Sequence, residues 1–206
     1  MTERSQIRRL ASRTLRFAGI HYCDSFYLEK NLGTAIEPVV SPIELDISHA
    51  TEDDLATIIR MRGQTVLKRF QIARAVEGVC YCAKHNGEIA GYMWLTRRAV
   101  ILDELHVADL PANGAYMFGS YVFPHFRGKK IFQSLTYQAY DEMRQAGCLF
   151  VGNLVGRNNA PAVAARKRFG VLFQDSRLLK LPGFKAITVG KPFVIGASAS
   201  GMAISP

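Results

Sequence analysis

The chain of 206 residues carries a net charge of +9, with 49% hydrophobic and 21% charged residues, and its pI is ≈ 9.6. That length suits one domain with extensions, large enough for a core without covalent staples, and the composition excludes a disordered chain. The positive balance calls for an anionic partner: a phosphate-bearing ligand, a lipid headgroup surface or nucleic acid.

Residues 2–19 predict an amphipathic helix, with Ile7, Leu10, Ala11, Leu15 and Ala18 near one face and Arg4, Arg8, Arg9, Arg13 and Arg16 around the rest. Such a segment lies on an anionic membrane surface, docks a partner, or packs as a basic helix on its own domain. A nucleic-acid arm is not expected, because aromatic interleaving is sparse and no recognition motif accompanies it. No apolar run is long enough to span a bilayer, and no signal-peptide core follows the N-terminus. Residues 20–41, punctuated by Gly33 and Pro38, read as an irregular connector. The expected organisation is therefore a helix and connector over 1–41, a domain over 42–195, and a mobile small-residue tail over 196–206.

The domain opens on the alternating strand Ile43-Glu44-Leu45-Asp46-Ile47. Thr51 followed by Glu52, Asp53 and Asp54 signals a helix start. Leu55, Ile58, Ile59 and Met61 continue it to Gly63, and a second short helix covers 64–75. Strands over 79–84 and 88–95 are joined by Asn86-Gly87, a hairpin signal, with Tyr92 and Trp94 on one face of the second, lining a core or a pocket. Cys23, Cys80, Cys82 and Cys148 form no metal-spaced set, so buried, reduced thiols are expected and no metal. One further strand over 99–107 carries Asp103, Glu104 and His106.

Residues 115–123 are uncharged, as in a strand covered on both faces. Pro124 ends the run, His125 to Lys130 form a basic loop, and Ile131, Leu135, Ala139 and Met143 recur on one helical face. The first amides of a helix have no internal partner and its dipole is positive there, so a phosphate is welcome. Neither GxxxxGK[ST] nor GxGxxG is present. On these local residues a phosphate site and an ordinary strand–helix connection stand level. Beyond, 148–154 predict a strand, Asn158 or Asn159 a helix N-cap with Pro161 in the first turn, and 172–180 with 185–189 a closing hairpin.

Val122-Phe123-Pro124-His125-Phe126-Arg127-Gly128-Lys129-Lys130-Ile131 resembles the V-x-P-x-[YF]-R-G-K-G-I segment of GNAT acyltransferases. Asn159-Ala160-Pro161-Ala162-Val163-Ala164-Ala165-Arg166-Lys167-Arg168-Phe169-Gly170 resembles their N-x-x-A-[IV]-x-x-Y-x-x-x-G-F segment, at the spacing the family requires. The resemblance implies an α/β (α+β) fold: a mixed, mostly antiparallel central sheet flanked by helices, with the N-terminal amphipathic helix as an addition. It also implies an acyl donor, acetyl-CoA or a longer acyl-CoA. The donor would be held at Arg127, Gly128, Lys129, Lys130 and Ile131, with Asn159 beside it and an amide at or next to Val122 serving the carbonyl. The family's [QR]-x-x-G-x-[GA] pattern starts on Arg127 and is broken by Lys130 and Phe132.

Acyl transfer from a thioester to an amine needs a sink for the amine proton, a donor to the oxyanion and a stabilised leaving thiolate. Tyr116 stands where relatives place a carboxylate, and is a poor base. Glu104 and His106 are the chemical candidates for that base, against the alternative of an exposed pair on an edge. His125 reads as a donor contact or a cap. Arg166 replaces the family's tyrosine. Either it acts electrostatically, or Tyr121 or water supplies the proton, or the protein binds acyl-CoA without turnover. The function expected is an acyl-CoA-dependent N-acyltransferase acting on a primary amine of a small molecule, sugar or lipid precursor. It would be cytoplasmic, with the inner membrane face within reach through residues 2–19. The alternatives are a non-catalytic acyl-CoA-binding module and a membrane-surface adaptor.

Overall fold

The computed structural model describes residues 20–102, 105–182, 184 and 187–200. In chain order its strands are His21–Asn31 (β1), Asp46–His49 (β2), Val79–His85 (β3), Glu88–Thr96 (β4), Ala99–Leu102 (β5), Leu105–Asp109 (β6), Gly114–Val122 (β7), Phe150–Gly156 (β8), Leu172–Lys180 (β9) and Ile187–Thr188 (β10). The helices are Glu52–Arg62 (α1), Leu67–Ala75 (α2), Ile131–Gln145 (α3) and Ala160–Lys167 (α4). Eight strands form one sheet in the order β10-β9-β1-β8-β7-β4-β3-β2, and β5 and β6 pair separately. Within the large sheet β7 and β8 are parallel and the other pairs antiparallel. This is the mixed, mostly antiparallel sheet flanked by helices that the motifs imply.

Local chemistry accounts for the elements that were legible. Thr51 Oγ1 accepts from the Asp54 amide at 3.2 Å while Asp54 Oδ2 accepts from the Thr51 amide at 3.0 Å, a reciprocal cap that starts α1. Lys84 Nζ meets Asp54 Oδ1 at 2.8 Å and ties that cap to β3. Asn86 and Gly87 both have positive φ, as a two-residue hairpin turn requires. Phe70 of α2 packs edge-on against Tyr92 and Trp94, 5.9 and 5.1 Å between centroids. α3 covers the opposite face, with Ile131, Leu135, Ala139 and Met143 buried. Cys80, Cys82 and Cys148 are buried free thiols, and burial pushes the Cys82 thiol up to about 12.

Three expectations are corrected. Residues 21–31 are no connector: β1 pairs with both β8 and β9. Because both pairings are antiparallel, β8 and β9 run parallel with β1 filling the gap between them. The charged Glu29 and Lys30 hid this strand, for they are 0% and 4% exposed. Glu29 accepts from the backbone amides of Gly196 and Ser198 at 2.7 and 2.6 Å and from the Tyr27 hydroxyl at 2.9 Å. Lys30 Nζ donates to Thr34 Oγ1 at 2.9 Å. Those same bonds correct the tail. Ala197 is buried, and the stretch 196–200 is tied to β1 rather than trailing. Finally, 99–107 is not one strand but the start of a β5–β6 hairpin. The amphipathic segment 2–19 and residues 201–206 lie outside the described residues.

Candidate active site between two parting strands

β7 and β8 pair only at Gly114 with Phe150, Ala115 with Val151 and Tyr116 with Gly152. Beyond that point β7 follows β4 to Val122 and β8 follows β1 to Gly156, so the sheet opens. A bulge sharpens the divergence: Gly119 and Ser120 together face Met93, since Phe118 pairs with Trp94 and Tyr121 with Tyr92. Gly119 sits at φ +60, and a Cβ there would stand 3.3 Å from the Trp94 ring.

The opening is a cleft of ≈ 310 Å³ that passes through the sheet. On the α2 face it is lined by Phe118, Tyr116, Arg69 and the β5 residues Ile101 and Leu102; on the other by Ala162 and Arg166 of α4. Asn153 to Gly156 and the helix cap Asn159 form its β8 side.

Three polar side chains define its interior. The buried Tyr116 hydroxyl donates to Ile101 O at 2.6 Å and accepts from the Leu154 amide at 3.1 Å, clamping the strands where they part. Asn153 Nδ2 donates to Met117 O at 3.3 Å, while its Oδ1 is buried without a partner among the described residues. Arg166 is 3% exposed. Its Nη1 lies 3.4 Å from Met117 Sδ, its guanidinium sits 4.7 Å over the Phe132 ring, and its Nε has no hydrogen-bond partner among the described residues. Burial lowers the Arg166 pKa, with the nearby Tyr140 and Tyr116 phenols pulling the other way. Burial in turn pushes the Tyr140 phenol up to about 12.

β7 leads from the cleft into the basic loop, a short 3-10 turn over Pro124–Phe126. The amides of Phe126, Arg127 and Lys129 bond back to Phe123 O, Pro124 O and Phe126 O, and the Ser134 amide to Lys130 O. The amides of Gly128, Lys130, Ile131, Phe132 and Gln133 find no acceptor among the described residues. Gly128 has φ +81 and nothing within 4 Å of where a Cβ would be, so the loop is open on that side. Lys130 holds φ +57 in the left-handed region, which explains why a glycine suits this position and what lysine costs there, about 1–2 kcal/mol. The Phe132 ring lies under Arg166 instead of lining the cleft.

Of the residues singled out by sequence, Tyr116, Arg166 and Asn159 meet at the cleft. Asn159 also caps α4, its Oδ1 accepting from the Ala162 amide at 3.3 Å. Arg127 to Ile131 form the open loop, and Arg127 Nε donates to Val122 O at 3.4 Å. Val122 itself does not line the cleft, whereas Gly119 and Ser120 do. Tyr121 is also outside the lining, with the Arg62 guanidinium 3.5 Å over its ring. His106 is exposed on β6, 2.9 Å from Asp109 Oδ1, and does not reach the cleft lining. His125 pairs with Glu88 at 2.9 Å on the surface. Glu104 lies outside the described residues. Sequence reasoning missed Asn153, whose one signal was a lone amide in the otherwise small and apolar strand FVGNLVG.

Residues 48–171 match the model of the Acetyltransferase (GNAT) family. This chain belongs to the GNAT family. A GCN5-related N-acetyltransferase from Kribbella flavida superposes with a TM-score of 0.57 at 12% identity, over 85% of this chain and 64% of that one. A Drosophila protein of known structure superposes with a TM-score of 0.59 at 13% identity, over 85% of this chain and 57% of that one. At such identities these two likenesses establish a shared fold. Comparison with curated proteins found no match. The GNAT match begins at residue 48, after β1, so the strand that completes the sheet between β8 and β9 lies outside it. Among the described residues no helix is long and apolar enough to cross a membrane.

Proposed function

We propose that this GNAT protein transfers an acetyl group, or a longer acyl group, from its CoA thioester to the primary amine of a small-molecule, sugar or lipid-precursor acceptor. The observation that carries this reading is the through-sheet cleft where β7 and β8 part, joined by β7 to a loop of unengaged amides. The amides of Gly128 and Lys130 to Gln133 suit a pyrophosphate: they have no acceptor among the described residues, they sit at the positive end of α3, and Lys129 and Lys130 add charge. A pantetheine arm entering the cleft would meet the unpartnered Asn153 Oδ1, an acceptor for an amide N–H. The acceptor would approach from the α2 face, past Phe118 and Arg69.

The test is calorimetric titration of the full chain with CoA and acetyl-CoA, followed by release of free thiol with a panel of amines. Binding with thiol release that depends on an amine supports the assignment. No binding at millimolar CoA refutes it, and binding with no thiol release across the panel makes the protein an acyl-CoA-binding module.

A second reading, contact with an anionic membrane, is favoured by one surface. Tyr22, Leu181, Phe184 and Ile187 are 51%, 37%, 70% and 54% exposed. His21, where β1 leaves the basic segment 2–19, pairs with Lys180 at the same end of the sheet. Apolar side chains beside cations suit a headgroup layer. Co-sedimentation with anionic but not neutral vesicles is the expected result, and equal recovery in the supernatant with both discards the reading.

A further inference from the structure

Among the described residues Arg166 is a cation buried without a carboxylate partner. Its neighbours among the described residues are the Met117 thioether, the Phe132 ring and the phenols of Tyr140 and Tyr116, none of them a carboxylate, and its Nε has no hydrogen-bond partner there. Several surface arginines find carboxylates: Arg157 bridges Asp24 and Asp175, and Arg98 pairs with Glu77. Those pairs are solvent-accessible, where an ion pair contributes little. Arg166 is in the position where a missing counter-ion costs most, because a buried ion loses its hydration and a thioether and a ring face offset only part of that loss. Arginine nevertheless stays protonated. A persistent, unpaired charge lining the gap between β7 and β8 is a fixed electrostatic feature, suited to an anion that is present only during the reaction.

We propose that Arg166 binds the sulfur of the departing CoA as a thiolate, so that the reaction needs no proton donor to the leaving group. This rests on the acyl-CoA reading above. The amine nitrogen uses its lone pair to form the C–N bond to the thioester carbonyl carbon. The C–S bond then breaks with its electron pair on sulfur; two of the three protons of the original ammonium pass to water and the third stays on the amide nitrogen. The guanidinium pairs with the anionic sulfur but gives up no proton. The sulfur is protonated by solvent only after it leaves. Asn153 and the Tyr116 hydroxyl bridge the two strands and fix their geometry where they part, and the Phe132 ring lies against the guanidinium.

The consequence is an acidified thiol in bound CoA, which a purely structural arginine would not produce. Thiolate absorbance of CoA bound to the full chain is followed against pH, as a difference from the ligand-free protein so that the chain's own cysteines cancel. Calorimetry confirms saturation. The expected result is a bound thiol titrating about one unit or more below free CoA, as an adjacent cation dictates. R166K should keep part of that shift, and R166Q and R166M should abolish it while CoA still binds. An unshifted thiol in the wild-type complex overturns the proposal, and so does a shift that survives in R166Q. The wild-type titration needs no variant, so it decides the question even where a variant fails to fold. Absence of CoA binding to the wild type would refute the acyl-CoA reading itself, and this proposal with it.

Discussion

Replacing Tyr116 by phenylalanine separates a clamp from a catalytic group. Tyr116 is 1% exposed, and its hydroxyl donates to Ile101 O and accepts from the Leu154 amide. The ring can stay, but both backbone groups lose a partner. A typical hydrogen bond contributes a net ~0.5–1.5 kcal/mol, and a buried group left unsatisfied costs ~1–3 kcal/mol. With two groups affected and some relaxation at the mouth of the cleft, the expected loss is about 2–4 kcal/mol. For a chain of this size each kcal/mol lowers the melting temperature by about 2–4 °C, so a fall of roughly 4–16 °C is expected. Urea unfolding should show a lower midpoint with an unchanged slope, since the denatured state exposes the same surface. Turnover should fall less than tenfold once the protein is held well below its new melting temperature. Unaltered stability with a drop in turnover of about two orders of magnitude would refute the clamp and put the hydroxyl in the chemistry.

Gly128→Val places a β-branched residue at φ +81 in a loop that is otherwise unobstructed. The backbone should move away from that conformation, weakening CoA about tenfold or more in calorimetry with a small change in melting temperature; equal affinity would show that the loop does not hold the phosphates. Asp54 gives a pH prediction. Burial raises its carboxyl pKa, but the Lys84 ammonium and the Thr51 cap outweigh this and leave it below the usual value. A group whose folded pKa is depressed contributes stability above its unfolded value, about 4, and loses it as pH falls through the folded value. Asp54→Asn should therefore destabilise at pH 6 and differ progressively less from the wild type below about pH 4. A constant difference across that range would contradict the ion pair. Glu29→Gln replaces one of the oxygens that accept from Gly196 and Ser198 with a donor. Amide exchange at those two positions should quicken, with a stability loss of about 1–3 kcal/mol. Unchanged protection would mean that the C-terminal stretch is held by its apolar contacts alone.

Features written in short contiguous stretches of chain could be read from the residues alone. The Thr51–Asp54 cap, the Asn86-Gly87 turn and the strand–loop–helix unit from Gly114 to Gln145 each carry their signal in adjacent positions, because hydrogen bonds of caps and turns are local. The loop and Asn159 were legible for the same reason. The remaining features depend on residues far apart in the chain. β1 carries charges that no local rule would bury; Glu29 becomes tolerable through amides 167 and 169 positions away. The parting of β7 and β8 depends on their belonging to different neighbours, β4 and β1. The isolation of Arg166 follows from which side chains surround it: in the sequence it is one of three consecutive cations, and only the packing of α4 against the open strands strips that one of water and leaves it unpaired among the described residues.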